Sequence, residues 1–90
     1  MPVDRTRGVY GISVAADMVG IGVQSLRAYE KRGLVEPART QGGTRLYSDE
    51  DLARLVRIGE LLTDGLNLAG VAKVIELEAA NARLRARLER

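Results

Sequence analysis

Three glycines divide the first third of the chain into short pieces and limit its fold more than any other feature. Gly20 and Gly33 each follow a stretch with helical spacing of apolar residues, and Gly22 lies in the connection between the two stretches. Glycine commonly ends a helix by adopting the left-handed conformation. The pattern predicts a short helix that ends at Gly20 and a second helix over residues 23–32, which together form a helix-turn-helix.

The first of these helices is short, and its start and its buried face are both predicted from local signals. Ser13 is expected to be the N-cap, since a serine oxygen can accept a hydrogen bond from a free N–H of the first turn. Val14, Met18 and Val19 recur at helical spacing and are expected to face the core.

The second helix separates into two faces. One side carries Val23, Leu26, Tyr29 and Glu30, with Leu26 at its centre; the other carries Gln24, Arg27, Ala28 and Lys31. Arginine and glutamine read base edges in a major groove, and lysine binds phosphate. An ordinary solvated helix face has a similar composition, and this helix alone favours that plainer interpretation.

The segment that follows, LVEPARTQGGTRLY, predicts a β-hairpin wing. Residues with a preference for strands lie at Leu34–Val35 and Arg45–Tyr47, on either side of Gly42–Gly43. Pro37 would restrict the first of these to an edge strand. Glycines at the tip allow positive φ and a close approach of the backbone to a neighbour.

Two cations, Arg39 and Arg45, flank this tip. They are predicted to straddle a phosphate backbone or to enter a minor groove. Thr40, Gln41 and Thr44 would add neutral donors to phosphate. A flexible basic hairpin without a ligand is the alternative, but it does not explain why the hairpin follows a helix-turn-helix of the same charge sign.

Two further helices are predicted. Ser48 and Asp51 form a capping box at the start of the third, which would end at Gly65. Its expected core stripe is Leu52, Leu55, Val56, Gly59 and Leu62. Asn67 is expected to cap a fourth helix that meets no breaker from Val71 to the end of the chain.

The fourth helix carries an apolar seam at heptad spacing, made of Val74, Leu77, Asn81, Leu84 and Leu88. The seam covers about two heptads, fewer than the ~3–4 that define a coiled coil securely. Asn81 would limit the register and lower the stability. We therefore expect a homodimer that is weak without DNA; the alternative is a helix that packs on its own domain to about Leu77.

Charge and composition exclude several classes of function. The net charge is +2, with seven Lys/Arg against four Asp/Glu in residues 1–48, three against seven in 49–80 and four against one in 81–90. An anionic partner would thus meet the first half. The chain has no Cys and no His, which excludes disulfides, Cys/His zinc sites and nucleophilic sites built on those residues. Neither enzymatic activity nor a cofactor or metal is expected.

Location follows from what the sequence lacks. No apolar run approaches the ~20 residues that span a membrane. The N-terminus has no apolar segment of the kind found in signal peptides. We expect a cytoplasmic protein of bacterial type, associated with the nucleoid and not with a membrane.

The stretch SLRAYEKRGLVEPARTQGGTRLYSDEDL resembles the signature of MerR-type transcriptional regulators. More narrowly, GISVAADMVGI, GGTRLYS and GLNLAGVAKVIELE resemble the heat-shock repressor subgroup, HspR. The resemblance runs from Tyr10 to Glu78. It implies a winged helix-turn-helix that binds inverted-repeat operators in double-stranded DNA, with contacts from Arg27, Tyr29, Arg39 and Arg45.

The resemblance also implies partners. Family members dimerise through a C-terminal antiparallel coiled coil, although the Asn at an a position leaves the strand direction of this seam open. The subgroup implies repression of chaperone genes with an Hsp70-type chaperone as co-regulator. Ala28 departs from the family pattern, in which many members have a second aromatic residue. No effector domain is expected within these 90 residues, and the absence of Cys and His argues against metal sensing.

Together these inferences predict a mostly α, MerR-like winged helix-turn-helix. Residues 1–9 would form a flexible arm, 10–78 the DNA-binding domain, and 79–90 the start of a coiled-coil-like helix. The predicted DNA contacts are Ser13, Gln24, Ser25, Arg27, Tyr29, Lys31, Arg39, Thr40, Gly43, Thr44 and Arg45. Two alternatives are an excisionase-like protein that bends DNA with little specificity, and a small coiled-coil interaction module.

Overall fold

The computed structural model describes residues 4–89 and has four helices and one hairpin in that range. The elements are α1 (Ile12–Val19), α2 (Val23–Lys31), β1 (Ala38–Arg39), β2 (Arg45–Leu46), α3 (Asp49–Thr63) and α4 (Leu68–Leu88). Residues 1–3 of the predicted arm, and Arg90 of the predicted C-terminal helix, lie outside the described residues. The chain forms two compact units that divide between Arg57 and Ile58, within α3. The predicted class, mostly helical with a two-stranded wing, is confirmed.

The first helix buries a different face from the one predicted. Ala15 and Ala16 are buried on α1, whereas Val14 and Met18 are both more than half exposed. Helices α1 and α2 pack against each other. Small side chains let two short helices approach closely, which is consistent with buried alanines where larger apolar residues were expected.

The ends of α1 and α2 are set by glycine. The predicted serine N-cap is wrong: Gly11 is the N-cap of α1, it makes no side-chain cap bond, and Ser13 lies inside the first turn. Gly20 and Gly33 both have φ of 76°, which confirms the left-handed conformation predicted for Gly33 and the predicted end of α1 at Gly20. The ends of the two helices in the helix-turn-helix are therefore set by backbone conformation more than by side-chain caps.

The first strand of the wing starts later than predicted, and the second strand is one residue shorter. Its antiparallel register pairs Ala38 with Leu46 and Arg39 with Arg45. Leu34–Val35, predicted as the first strand, is not a strand; both residues are buried in the core of the first unit instead. Their apolar character thus serves burial, which a short β-prone run does not distinguish from strand pairing.

The described part of the predicted N-terminal arm lies along this hairpin. The Val9 N–H donates to the Tyr47 carbonyl oxygen at 2.9 Å, and the Tyr47 N–H donates to the Tyr10 carbonyl oxygen at 2.7 Å. Gly8 lies so close to the second strand that a Cβ there would be 2.6 Å from the Leu46 carbonyl oxygen. A side chain at position 8 would therefore push the segment away from the hairpin.

Helix α3 begins as predicted and buries part of the predicted stripe. The Ser48 N–H donates to an Asp51 carboxylate oxygen at 2.9 Å, and the Asp51 N–H donates to the Ser48 hydroxyl oxygen at 3.0 Å, which confirms the capping box. Val56, predicted as core, is about half exposed, whereas Ile58 is fully buried. Leu52 and Leu55 are buried as predicted, so the predicted stripe is wrong at Val56 and omitted Ile58.

The second unit contains the end of α3 and the whole of α4. The Gly70 N–H donates to the Asn67 side-chain oxygen at 2.8 Å, so the predicted cap of α4 is confirmed. Helix α4 continues without a break to Leu88. Ile58, Leu61 and Val71 are the buried residues of this unit. Within residues 4–89, no helix is both long enough and apolar enough to cross a membrane.

Candidate nucleic-acid interface

Helix α2 presents its polar face to solvent, as the sequence predicts. Gln24, Arg27 and Lys31 are exposed, and Ser25 is exposed beside Gln24 in the first turn. Leu26 is fully buried on the opposite face and fixes the rotation of the helix. The side chains of Arg27 and Lys31 make no hydrogen bond or ion pair in the described part of the chain. These two cations are therefore available to an anionic partner.

Two other predicted contacts take different positions. Tyr29 is half-buried on α2, so its ring belongs partly to the packed side of the helix. Ser13 is exposed in the first turn of α1, on a different element from the remaining candidates. The structure thus exposes the other predicted α2 residues, Gln24, Ser25, Arg27 and Lys31, and places Ser13 on α1.

The tip of the wing is held by its own hydrogen bonds. The Thr40 N–H donates to the Thr44 carbonyl oxygen at 2.9 Å, and the Thr44 N–H donates to the Thr40 hydroxyl oxygen at 3.1 Å. Gly43 closes the turn with φ of 85°, which confirms the positive φ predicted for the tip. Three-residue hairpin loops place such a conformation at their last residue. Thr40, Gly43 and Thr44 are exposed, so the tip is accessible while its backbone is fixed.

The two wing arginines share one carboxylate. Glu30, near the end of α2, accepts from Arg39 Nη2 at 2.7 Å and from Arg45 Nε at 2.5 Å, using a different oxygen for each. A further bond joins Arg39 Nη1 to the Gly43 carbonyl oxygen at 2.9 Å. The Glu30 side chain is only 16% exposed. The wing is thus attached to α2 through this charge cluster.

Sequence reasoning placed Glu30 on the inward face of α2 but gave it no role. The two arginines lie 9 and 15 positions further along the chain, so the pairing depends on how the hairpin folds back. The usable signal is a carboxylate on the inward face of a helix that precedes a hairpin with two cations. Opposite charges are expected to meet there, because an inward-facing carboxylate needs a partner.

A tyrosine and an aspartate fix the base of the wing. The Tyr10 hydroxyl donates to Asp49 Oδ1 at 2.8 Å. This hydrogen bond to a carboxylate raises the pKa of Tyr10 above its ordinary value of 10.0, with a smaller contribution from burial. In residues 4–89, no group of three or more acidic side chains is arranged to hold a metal ion.

The predicted dimerisation seam lies on α4 and is exposed. Leu77, Leu84 and Leu88 are 66%, 57% and 85% exposed, and Asn81 is exposed between them. Val74 is half-buried, and with Leu77, Glu78 and Asn81 it lines a shallow hollow of about 340 Å³. A row of exposed leucines at heptad spacing is suited to pairing with another helix.

Together, two short helices, a hairpin wing and an exposed row of polar and basic residues define a winged helix-turn-helix protein. Residues 10–78 match the model of the MerR HTH family of regulatory proteins. The chain belongs to the MerR family, which confirms the resemblance seen in the sequence. The members compared below are regulatory proteins, so the expectation that the chain is not an enzyme is confirmed as well.

Two curated relatives illustrate the likeness. A Streptomyces coelicolor protein named as a heat shock protein, HspR, is 49% identical over 80 residues, which cover 88% of this chain and 53% of that protein. The transcriptional regulator GlnR of Bacillus cereus is 37% identical over 71 residues, covering 79% of this chain and 55% of GlnR. The chain therefore spans about half the length of these relatives.

Solved structures give the same result. HiNmlR, a MerR family regulator that lacks the sensor domain, was crystallised bound to promoter DNA; it has a TM-score of 0.74 and 29% identity, with 89% of this chain and 62% of that one covered. MtaN, the N-terminus of the multidrug transporter activator of Bacillus subtilis, has a TM-score of 0.69 and 26% identity, with 90% and 86% covered.

Proposed function

We propose that this chain is a sequence-specific DNA-binding regulator that inserts α2 into a major groove and lays its wing on the adjacent backbone. The observation that carries the proposal is the exposed face of α2, where Gln24, Arg27 and Lys31 lie side by side with no ion pair in the described residues. Glutamine and arginine can read base edges, and lysine binds phosphate. The likeness to HiNmlR, solved on promoter DNA, supports this use of the fold.

The regulated genes are proposed to be heat-shock or chaperone genes, with the chain acting as a repressor. The 49% identity to the Streptomyces coelicolor protein HspR supports this narrower proposal. An Hsp70-type chaperone as co-regulator follows from the same family resemblance. Acting on bacterial genes would place the protein in the cytoplasm, at the nucleoid.

The decisive experiment is selection of bound duplexes from a random DNA pool, followed by titration of a selected site and an unrelated duplex at several salt concentrations. A regulator should enrich one motif and bind it about 10³-fold or more tightly than unrelated DNA. Affinity should fall steeply with salt, because bound cations release counterions from phosphates. Strong binding with no enriched motif would favour a DNA-bending architectural protein, and no salt-dependent binding would refute the DNA-binding function.

The proposal includes two copies on an inverted-repeat operator, joined through the α4 seam of Val74, Leu77, Asn81, Leu84 and Leu88. The seam is short, so we expect a monomer or a weak dimer in solution and cooperative assembly on DNA. Two half-sites hold the copies at high effective concentration, and a weak interface then suffices.

Leu84→Asp tests this assembly, since a buried charge would oppose pairing. It should reduce cooperativity on a two-half-site operator and leave single half-site affinity nearly unchanged. The matched control is Ala82→Asp, which adds the same charge at an exposed position outside the seam. Sedimentation of the free protein at micromolar concentration provides the second check: a tight dimer without DNA would contradict the proposed weak interface.

A further inference from the structure

In the charge cluster of Glu30, Arg39 and Arg45, the carboxylate offsets a repulsion between the two arginines that the hairpin register creates. Arg39 and Arg45 are direct partners in the antiparallel register, so two like charges lie opposite each other. Like charges at such positions destabilise a strand pair. Glu30 offsets this repulsion by placing one carboxylate oxygen on each guanidinium. The cluster as a whole then carries one net positive charge.

The two arginines are bound in different ways. Arg39 uses both terminal nitrogens within the protein: Nη2 donates to Glu30 and Nη1 donates to the Gly43 carbonyl oxygen. Arg39 therefore links the tip of the wing to the end of α2. A phosphate could take over these donors only by breaking one of those links.

Arg45 is held at one end and free at the other. Its Nε donates to Glu30, and within residues 4–89 its terminal nitrogens hold no hydrogen bond. A guanidinium has five N–H donors in a rigid fork, four of them on the terminal nitrogens. Fixing Nε sets the plane of the fork, so less side-chain freedom is lost when the fork binds an anion. Its side chain is 30% exposed, which leaves that fork within reach of a ligand.

We infer that Glu30 is a positioning residue that gives the two wing arginines different roles. It holds Arg39 as a structural link between the wing and α2, and it orients Arg45 toward a single DNA phosphate. This inference rests on the proposed DNA-binding function and adds the partner chemistry of each wing residue. Because Glu30 cancels one of the two charges, it also limits the attraction of the wing for phosphate of any sequence. Glu30 would thus favour the specific site over unrelated DNA.

The test is equilibrium binding of the full chain to its selected operator and to an unrelated duplex over a salt series, with thermal unfolding of every variant. Arg45→Ala should lower affinity for both duplexes and reduce the slope of log K against log salt by about 0.9 per protomer. Arg39→Ala should reduce that slope less than Arg45→Ala does, because Arg39 donates to Glu30 and to Gly43 and not to a phosphate, and it should also lower the unfolding midpoint. Equal changes of slope in the two variants would overturn the division of roles.

Glu30→Gln removes the charge while keeping the size of the side chain. It should raise affinity for the unrelated duplex, steepen its salt dependence by up to about 0.9 per protomer, and narrow the ratio of specific to unrelated binding. A purely structural Glu30 would instead weaken both duplexes with unchanged slopes, and that result would overturn the inference.

Arg45→Lys provides a check that does not depend on the folding of the Glu30 variant. It keeps the charge but loses Nε and the planar fork, so the salt slope should persist while affinity falls. Wild-type affinity in this variant would contradict the inference. If the wild-type chain bound no duplex in a salt-dependent way, the proposed function would be refuted. If the wild type bound DNA and these variants bound it with the same affinity and salt slope as the wild type, only the role of Glu30 would be refuted.

Discussion

Helix α2 and the wing both present cations, but they hold them differently. On α2, Arg27 and Lys31 are exposed and have no ion pair in the part of the chain that the structure describes. In the wing, Arg39 and Arg45 both pair with the carboxylate of Glu30. The helix therefore presents cations without an ion pair in the described residues, whereas the wing presents a guanidinium that a carboxylate already orients.

This difference indicates how a small domain can use one surface to recognise bases and another to fix its position on the DNA backbone. Long solvated side chains on a rigid helix can adapt to base edges, and they lose entropy when they bind. A guanidinium already fixed by a carboxylate is ordered before the ligand arrives, so it suits a contact that sets register on the backbone. Variants that act on only one of the two surfaces test the distinction.

The largest effect is expected from removing the helix cations. Arg27→Ala should cost about 1–3 kcal/mol per half-site if its base contact is bidentate. Adding Lys31→Ala should flatten the salt slope by about one further unit per protomer, measured by titration at several salt concentrations. Arg32→Ala is the matched control, because Arg32 is an exposed cation at the C-cap of the same helix and outside the predicted contacts. Equal losses of affinity in all three variants would indicate general electrostatic attraction to DNA, without specific base contacts from α2.

The next effect separates base preference from affinity. Gln24→Ala should relax preference at one base position by about 1–3 kcal/mol for a bidentate contact, with no change in salt slope because the side chain is neutral. Arg45→Ala should weaken all sequences about equally. Repeating the random-pool selection with each variant measures both results. A changed motif for Arg45→Ala with an unchanged motif for Gln24→Ala would reverse the assigned roles.

Most helix boundaries could be predicted from sequence, because the signals that set them are local. Gly20 and Gly33 end α1 and α2, and the Ser48–Asp51 box starts α3, all through contacts within a few residues. Such short-range geometry leaves little room for the rest of the fold to change the outcome.

The errors arose where tertiary packing decided between locally equivalent choices. Val14 and Ala15 both fit a helix, and the local pattern does not determine that Ala15 is buried while Val14 is exposed. Leu34–Val35 had strand propensity but was used for burial. The interface was predicted as a set of exposed residues, yet the Glu30 cluster joins residues 9 and 15 positions apart and required the folded hairpin.

A smaller effect is expected at the tip of the wing. Gly43 has φ of 85°, and a Cβ there would meet no atom within 4 Å, so a substitution costs backbone strain and not a collision. Gly43→Val should destabilise the native conformation of the wing tip by about 1–2 kcal/mol. DNA affinity should fall clearly, whereas the unfolding midpoint should change little, because the tip contributes little to the buried core.

Two controls define that result. Gly42→Ala should have little effect, because Gly42 lacks positive φ and its added Cβ would lie 3.8 Å from the Thr40 hydroxyl oxygen. Gly43→Asn should retain more binding than Gly43→Val, since asparagine tolerates positive φ. If the unfolding midpoint fell in step with affinity, the glycine would serve the fold and not the wing contact.

The smallest effect is expected at the base of the wing, where Tyr47 contrasts with the paired arginines. Tyr47 is fully buried, and its hydroxyl has no hydrogen-bond partner in residues 4–89. A buried donor without a partner carries a desolvation cost, so Tyr47→Phe should raise stability by no more than about 1 kcal/mol and leave DNA affinity unchanged.

Burial, with a smaller contribution from the Glu30 charge, raises the pKa of Tyr47 above 10.0. A raised pKa in the folded state means that stability is fully present below the unfolded value and is lost as pH rises through the folded value. The Phe variant should therefore lose less stability than the wild type above about pH 10, as measured by thermal unfolding at neutral and alkaline pH. A lower unfolding midpoint for Tyr47→Phe at neutral pH would show that the hydroxyl is satisfied in solution, and the contrast between paired surface cations and an unpaired buried hydroxyl would then be lost.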